Sequence, residues 1–254
     1  MSKKVTACVL VIGNEILSGR TQDANIHYLG GELTALGIQL AEVRVIPDDE
    51  SEIIEALNHC RAKYDYVFTT GGIGSTHDDI TAACVAKAFG LAFELHPEAN
   101  RILLDHYGEK ANTARMRMAI MPRGAELIDN PISKAPGFKV ENVHVFAGVP
   151  SIARAMFDSV RQSLKGGAPL VVQTVSTIGL SEGMIGEDLR ILQDQHPNVD
   201  IGSYPFLKMG GFGVNLVVRG EDKDAVVGAC ADLKTLIEKA GGTPIEGETE
   251  GENF

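Results

Sequence analysis

Short apolar runs alternate with segments of helical periodicity over the first 90 or so residues of the chain. The run Val5–Ile12 is almost continuously apolar and ends at Gly13, which is typical of a strand buried on both faces of a parallel sheet. Leu40–Ile46 and Tyr66–Thr70 are the second and third predicted strands, and the segments between these strands carry apolar residues at helical spacing. The alternation predicts βαβ units and an α/β fold with a mainly parallel sheet covered by helices on both faces.

Glycine and proline cluster at Gly166, Gly167 and Pro169, where we place a domain boundary. Beyond it the strand and helix patterns follow the order βαββα, and the last 14 residues hold four glutamates and four glycines with almost no apolar side chain. A segment of that composition cannot bury enough apolar surface to order itself. We therefore expect an α/β domain over residues 1–166, a small α+β domain over 167–240 and a disordered acidic tail over 241–254.

The chain has 34 acidic and 23 basic residues and a formal net charge of −11. This balance argues against a broad nucleic-acid-binding surface. No apolar stretch approaches the roughly 20 residues that span a bilayer, no secretory signal is present, and the four cysteines stand singly in apolar segments. We expect a cytoplasmic protein that binds neither nucleic acid nor membranes. An anionic substrate would need local recognition or a metal ion.

A glycine-rich loop stands between the third predicted strand and a predicted helix. Without a Cβ in the way, the backbone N–H groups of Gly71, Gly72 and Gly74 can approach an anion closely. Ser75 and Thr76 add hydroxyl donors, and the following helix N-terminus adds a partial positive charge. The loop lacks the lysine of a P-loop and the third glycine of a dinucleotide fingerprint. We interpret it as a phosphate cradle, because helix capping alone explains only part of the pattern.

Two carboxylates, Asp78 and Asp79, directly follow the cradle and would repel a phosphate unless a divalent cation lay between them. We assign them as catalytic residues and metal ligands. Glu15 and Asp23 follow the first strand and would add carboxylates at the same edge of the sheet. The open alternatives are a helix N-cap for Asp23 and a solvated loop acid for Glu15. The expected cofactor is Mg²⁺, Mn²⁺ or Co²⁺.

Gly148 follows a later predicted strand and is expected to complete the nucleotide site. Lys134 is the best candidate to offset phosphate charge, and His77 could orient a phosphate or water. The further candidate cations, each of which could equally be a solvated surface charge, are Arg115, Arg117 and Lys139. The histidine spacing suggests no zinc site.

Four motifs together resemble a known family. They are Gly13-Asn14-Glu15-Ile16-Leu17, Gly71–Asp79, Asn130-Pro131 with Ala135-Pro136-Gly137-Phe138, and Gly148-Val149-Pro150. The set is similar to the molybdopterin-binding domain of molybdenum cofactor biosynthesis proteins. It looks more like the N-terminal domain of competence/damage-inducible protein A (CinA) and the matching domain fused to eukaryotic FAD synthase. The resemblance extends over about residues 5–220. Asn14 favours the FAD-synthase-like branch, whereas Ser75 and Ala147 stand where the family usually has proline.

The resemblance implies a three-layer α/β/α domain that binds a pterin or nucleotide diphosphate at its strand ends. It implies roles for Asp79 and Asp23, which match acids of the family's adenylyltransferases. It also implies a homo-oligomer, a dimer or a trimer. The sequence shows neither the amidohydrolase domain of CinA nor the adenylyltransferase domain of FAD synthase, so we expect those two activities to be absent. We expect a metal-dependent pyrophosphatase acting on ADP-ribose or FAD. The alternatives are a molybdopterin adenylyltransferase-like enzyme, and a binding module that takes molybdopterin or a nucleotide without catalysis.

Overall fold

The computed structural model describes residues 4–208, 211–250 and 252–253. The chain divides into two units, Met1–Gly167 and Ala168–Phe254. No helix among the described residues is long and apolar enough to cross a bilayer.

The first unit alternates strands and helices. Its strands are β1 (Val5–Ile12), β2 (Ile38–Ile46), β3 (Tyr66–Thr70), β4 (Phe93–Leu95), β5 (Ile120–Pro122), β6 (Glu126–Ile128), β7 (Gly137–Val140) and β8 (Val143–Phe146). Its helices are α1 (Asn14–Leu17), α2 (Asn25–Ala35), α3 (Glu50–Lys63), α4 (Thr81–Ala88), α5 (Pro97–Tyr107), α6 (Thr113–Met116) and α7 (Pro150–Val160). Single 3₁₀ turns lie at Gly108–Lys110, Arg117–Ala119 and Arg161–Ser163.

The main sheet of this unit has the order β2-β1-β3-β8-β7-β6. The first four strands are parallel, whereas β7 and β6 add antiparallel to the β8 edge. Strand β1 is buried on both faces because its side chains alternate between two cores. Cys8, Leu10 and Ile12 pack on the side of α3 and α4, and Ala7, Val9 and Val11 pack on the side of α2 and α7. The expected three-layer α/β/α architecture is confirmed.

The second unit contains β9 (Val171–Ile178), α8 (Glu182–Gln195), β10 (Asp200–Lys208), β11 (Gly211–Gly220), α9 (Lys223–Lys239), β12 (Ile245–Glu246) and β13 (Glu252–Asn253). These strands form an antiparallel sheet with the order β12-β9-β11-β10-β13. Its core joins alternate β11 side chains, such as Leu216, to α9 side chains, such as Leu233 and Ile237.

The expectation of a disordered tail is wrong for the described part of residues 241–254. Strand β12 pairs with β9, and β13 pairs with β10. Between them Thr249 donates its N–H to Asn215 Oδ1 at 3.0 Å and accepts from Asn215 Nδ2 at 3.2 Å. Ser176 donates its hydroxyl to the Gly247 carbonyl. The tail is therefore ordered by backbone hydrogen bonds and two distant polar side chains, which its own composition does not reveal.

Candidate functional site

Three strand-end loops meet at Gly71, directly after β3. The Gly71 N–H donates to the Phe146 carbonyl at 3.2 Å, which joins the loop to the end of β8. A Cβ on Gly71 would lie 2.1 Å from the carbonyl oxygen of Ile12, the last residue of β1, and the φ of Gly71 is +103°. A Cβ on Gly148 would lie 3.3 Å from the Gly71 Cα. Only glycine permits this close approach of three chain segments.

The end of β2 belongs to the same edge of the sheet. The Gly13 N–H donates to the Ile46 carbonyl at 3.1 Å, and the Asn14 N–H donates to Asp48 Oδ2 at 2.9 Å. Asp48 is not among the site residues predicted from the sequence. Its signal was the pair Pro47-Asp48 at the end of the second predicted strand, which in a parallel sheet must lie beside the other strand-end loops.

Besides Thr69 Oγ1, which alternation places on the opposite face of β3, two buried side-chain atoms at this edge have no hydrogen-bond partner among the described residues: Asn25 Oδ1 and Thr70 Oγ1. Asn25 is 4% exposed, and its Nδ2 donates to the Gly148 carbonyl at 2.9 Å. Both residues lie on the α2 and α7 side of the sheet. Because a buried polar atom normally has a partner, these two fit a place where water or a ligand supplies the missing hydrogen bonds. Neither residue is among the site residues predicted from the sequence.

The glycine loop is held against the first turn of α4 by Thr81. The Thr81 N–H donates to the Gly72 carbonyl at 3.0 Å, and its hydroxyl donates to the Gly71 carbonyl at 3.1 Å. A Cβ on Gly72, whose φ is +66°, would lie 2.2 Å from the Thr81 hydroxyl oxygen. With the carbonyls turned toward Thr81, the loop is fixed at both its strand end and its helix end.

The carboxylate of Asp79 lies inside this loop. Its Oδ1 accepts the Gly74 N–H at 2.7 Å, and its Oδ2 accepts the Thr76 N–H at 2.8 Å and the Thr76 hydroxyl at 2.6 Å. Three of the donors expected to hold a phosphate therefore hold an anionic side chain of the same chain. The arrangement has the character of an anion-binding nest.

Asp78 and His77 lie exposed at the outer end of the loop, next to the half-buried Ser75. Hydrogen bonding from Thr76 lowers the pKa of the Asp78 carboxyl, and the nearby charge of His77 lowers it further. Asp78 is therefore an accessible anion at neutral pH.

The two acids of the first loop are placed differently. The Asp23 Oδ1 accepts the Ile26 N–H at 2.7 Å, so this side chain caps the first turn of α2 although the N-cap residue itself is Ala24. The carboxylate of Glu15 folds back over Gly13, since a Cβ there would meet its oxygens at 2.6 Å. Among the described residues, no three or more His, Cys, Asp or Glu side chains are grouped to hold a metal ion. The four acids assigned to the metal are thus not brought together as one ligand set.

A cleft opens beside the glycine loop on the α4 side. Its volume of about 100 Å³ is below the roughly 300–1,000 Å³ of typical small-molecule pockets, so it would enclose only part of a nucleotide. Its walls are the glycine loop, α4 and the Asn130 motif, with these lining residues among others: Gly72, Gly74, Asp79, Arg117, Met121, Pro136 and Phe138. Arg117 brings a positive charge to an otherwise mostly apolar wall.

The other candidate cations have different surroundings. Arg115 lies over the Tyr107 ring, 4.6 Å from its centroid, and Lys139 forms an ion pair with Glu126 at 3.2 Å. Lys134 is exposed and has a φ of +61° in the turn that ends next to Pro136 of the cleft. Of the four, Arg117 contacts the cleft and Lys134 lies on the loop bordering it.

Comparisons with known proteins find a matching family for each of the two parts of the chain. Residues 8–166 match the family described as "Probable molybdopterin binding domain", and residues 169–243 match the "FAD synthase, middle domain". A protein of Aeropyrum pernix is 34% identical over 216 residues, which is 81% of each chain. A "Probable FAD synthase" of Caenorhabditis elegans is 31% identical over 93% of this chain, which spans only 51% of the worm protein.

A solved structure is also similar. The CinA protein of Thermoplasma acidophilum, described as having unknown function, superimposes with a TM-score of 0.60 and 33% identity. The match covers 64% of this chain and 99% of that one.

Proposed function

The chain belongs to the family of probable molybdopterin-binding domains, and from that premise we propose that it is a divalent-metal-dependent pyrophosphatase acting on a nucleotide diphosphate such as FAD or ADP-ribose. The observation that carries the proposal is the anion held in the glycine loop. Two backbone N–H groups and one hydroxyl converge on the Asp79 carboxylate, which shows that the loop stabilises negative charge with donors of the kind that bind phosphate oxygens.

A substrate diphosphate in this loop would lie against Asp79 and near Asp78. The repulsion between these anions is the reason to propose a cation. Mg²⁺ is commonly held by one or two carboxylates together with substrate phosphates, which suits a pair of neighbouring acids better than a preassembled cage. Asp79 Oδ1 accepts a single N–H, so it keeps a lone pair for a cation. Asp23 and Glu15 would join such a site only after leaving their present contacts.

When bound, the cation would supply positive charge to the diphosphate. Residues of the chain would position the substrate and offset its remaining charge. The Ser75 hydroxyl and the loop amides that Asp79 does not occupy would fix one phosphate, while Asp79 keeps the Gly74 and Thr76 donors. Arg117 and Lys134 would offset charge developing on the leaving phosphate. The cleft encloses a small, mostly apolar volume next to the loop, so the base or sugar of the substrate would extend into solvent.

Flavin adenine dinucleotide is the first substrate to assay. The match of residues 169–243 to the middle domain of FAD synthase supports this choice, as does the worm relative's name. That relative is about twice as long as this chain, so its activity is not transferred here.

The test is release of AMP from FAD, ADP-ribose, NAD and ATP, each with Mg²⁺, Mn²⁺ or Co²⁺ and with EDTA. We expect AMP from FAD or ADP-ribose only with a metal, and a loss of that activity in Asp78→Asn and Asp79→Asn. A matched variant is Glu55→Gln, which changes an exposed acid of α3. AMP release that is equal with EDTA would overturn the metal role.

Two other results would replace the proposal. Transfer of AMP from ATP to molybdopterin, without dinucleotide hydrolysis, would indicate an adenylyltransferase. Tight binding of pterin or nucleotide without turnover would indicate a binding module. The expected dimer or trimer stays a prediction, which light scattering at two protein concentrations would check.

A further inference from the structure

Two buried cysteines face each other between β1 and α3. The Cys8 thiol donates to the Cys60 sulfur at an Sγ–Sγ distance of 3.3 Å, and both side chains are fully buried. Cys8 stands at an irregularity in the pairing of β1 with β2, where the register shifts between Ala7 and Cys8. Residues on different elements, 52 positions apart, are thus held with their sulfurs in contact.

We propose that Cys8 and Cys60 form an oxidation site, which a small two-electron oxidant of the peroxide class converts into an intrachain disulfide. A disulfide has an S–S length of about 2.05 Å, so the two sulfurs must approach by roughly 1.3 Å from their present 3.3 Å. Rotation of the two side chains can supply a movement of that size. The proposal is independent of the pyrophosphatase assignment.

The two sulfurs are not equivalent. Cys60 accepts the hydrogen bond of Cys8, and the charge of Arg44 adds to this, so the pKa of Cys60 is lowered. The pKa of Cys8 is raised because its proton is engaged with Cys60 and because it is buried. Since the thiolate is the nucleophile, Cys60 is the sulfur that reacts first.

The chemistry balances with the peroxide as the only added reagent. The Cys60 thiolate attacks one peroxide oxygen, the O–O bond breaks, and the departing hydroxide takes a proton to become water, leaving a sulfenic acid on Cys60. The Cys8 sulfur then attacks the Cys60 sulfur, the S–S bond forms and the S–O bond breaks. The departing hydroxide takes the Cys8 proton. In sum, two thiols lose two hydrogens and one peroxide becomes two waters.

The chain contains its own controls. Cys84 and Cys230 are also buried, but neither has a hydrogen-bonded sulfur neighbour in the part of the chain that the structure describes. Burial raises the pKa of the Cys84 thiol to about 11, which keeps it protonated and unreactive. We expect these two cysteines to stay reduced under conditions that oxidise the pair.

The experiment treats the folded protein with increasing hydrogen peroxide, quenches it, unfolds it in N-ethylmaleimide and maps the tryptic peptides by mass spectrometry. Trypsin places each cysteine on a separate peptide, and these span residues 5–20, 45–61, 64–87 and 224–234. We expect a linked species of the first two peptides that lacks two hydrogens relative to the reduced pair and disappears with dithiothreitol. The other two peptides should carry the maleimide.

Variants decide the assignment. Cys84→Ser should still form the link, whereas Cys8→Ala and Cys60→Ala should not, with folding checked by circular dichroism. Peptide maps of the unaltered protein decide the question if an alanine variant does not fold. Maleimide on all four cysteines after peroxide treatment, or links that pair the cysteines at random, would overturn the proposal.

Discussion

The Oδ1 atom of Asp79 accepts the backbone N–H of Gly74 at 2.7 Å, so the acid that sequence assigns to a metal ion also shapes the loop that is to bind phosphate. A Cβ on Gly74 would lie 2.6 Å from Asp79 Oδ2, so a side chain at this position would displace the Asp79 carboxylate. Asp79 therefore has a structural task that is independent of any ligand. This task changes what its substitution should do.

We expect Asp79→Ala to lower kcat/KM for dinucleotide hydrolysis by about 100-fold or more, because the Gly74 and Thr76 donors lose the acceptor that orders them. Amide hydrogen exchange at Gly74 and Thr76 should accelerate in the same variant. The comparison is Asp78→Ala, which should lower activity without altering exchange at those amides. Unchanged exchange in Asp79→Ala would contradict the positioning role.

We expect Gly71→Ala to destabilise the first unit far more than Gly90→Ala. Both glycines have positive φ, +103° for Gly71 and +65° for Gly90, but only Gly71 would place its Cβ against backbone, at 2.1 Å from the Ile12 carbonyl. Strain alone should cost about 1–2 kcal/mol at Gly90, and the clash should add at least about 2 kcal/mol at Gly71. Urea denaturation of the two variants measures the difference. Equal losses would show that the strand ends move apart easily.

His144 should make the protein sensitive to mild acid. Burial lowers its pKa to about 4, from 6.5 in an exposed histidine. Between these values the unfolded chain binds a proton that the folded chain does not, so stability falls as the pH decreases from 6.5 to 4. Over this pH range, His144 alone should lower the free energy of unfolding by about 3 kcal/mol. A phenylalanine side chain can pack against the neighbouring ring of Phe68. We therefore expect His144→Phe to reduce the dependence of stability on pH between 4 and 6.5.

The measurement is the free energy of unfolding in urea at several pH values. The control is His59→Gln, which removes an exposed histidine and should leave the slope unchanged. An identical slope in the parent protein and His144→Phe would assign the acid sensitivity to other groups.

Asn215 should hold the C-terminal segment in place. Its side chain is 2% exposed and exchanges two hydrogen bonds with the backbone of Thr249. We expect Asn215→Ala to cost about 1–3 kcal/mol in the second unit, because a buried polar pair is lost. The rate of amide hydrogen exchange at Thr249 should rise in the same variant. Thr235→Ala, on the exposed side of α9, serves as the control that should change neither quantity.

The sequence predicted the strands of the parallel sheet well because the apolar residues that mark each strand are close together in the chain. The predicted Val5–Ile12 and Tyr66–Thr70 have the same bounds as β1 and β3. The glycine loop was also recognisable, since its glycines are needed for close backbone approach. The sequence did not show in which direction the two acidic side chains point. Nothing local tells that Asp79 turns inward to Gly74 while Asp78 faces solvent, because the two acids are adjacent and chemically identical.

Long-range contacts account for the other differences between the sequence-based predictions and the structure. The order of the tail depends on Ser176 and Asn215, which lie 73 and 34 positions before Thr249. Arg117 and Pro136 line the cleft together with α4, although they come from a segment whose hydrophobic pattern is irregular. In both cases the deciding partner is remote in the chain, so composition and periodicity carry no trace of it.

The hydrogen-bond ladder of the sheet runs one residue past the strands, through Gly13 to Ile46 and through Gly71 to Phe146. Gly13 and Gly71 therefore still belong to the sheet, and the strand-end loops begin after them. Changes of ligand preference during divergence should accumulate within positions 14–22 and 73–78, where the backbone is free of the ladder, at residues other than Gly74 and Thr76, which hold Asp79. Insertions there would alter what the protein recognises, whereas an insertion one or two residues earlier would separate the strands themselves.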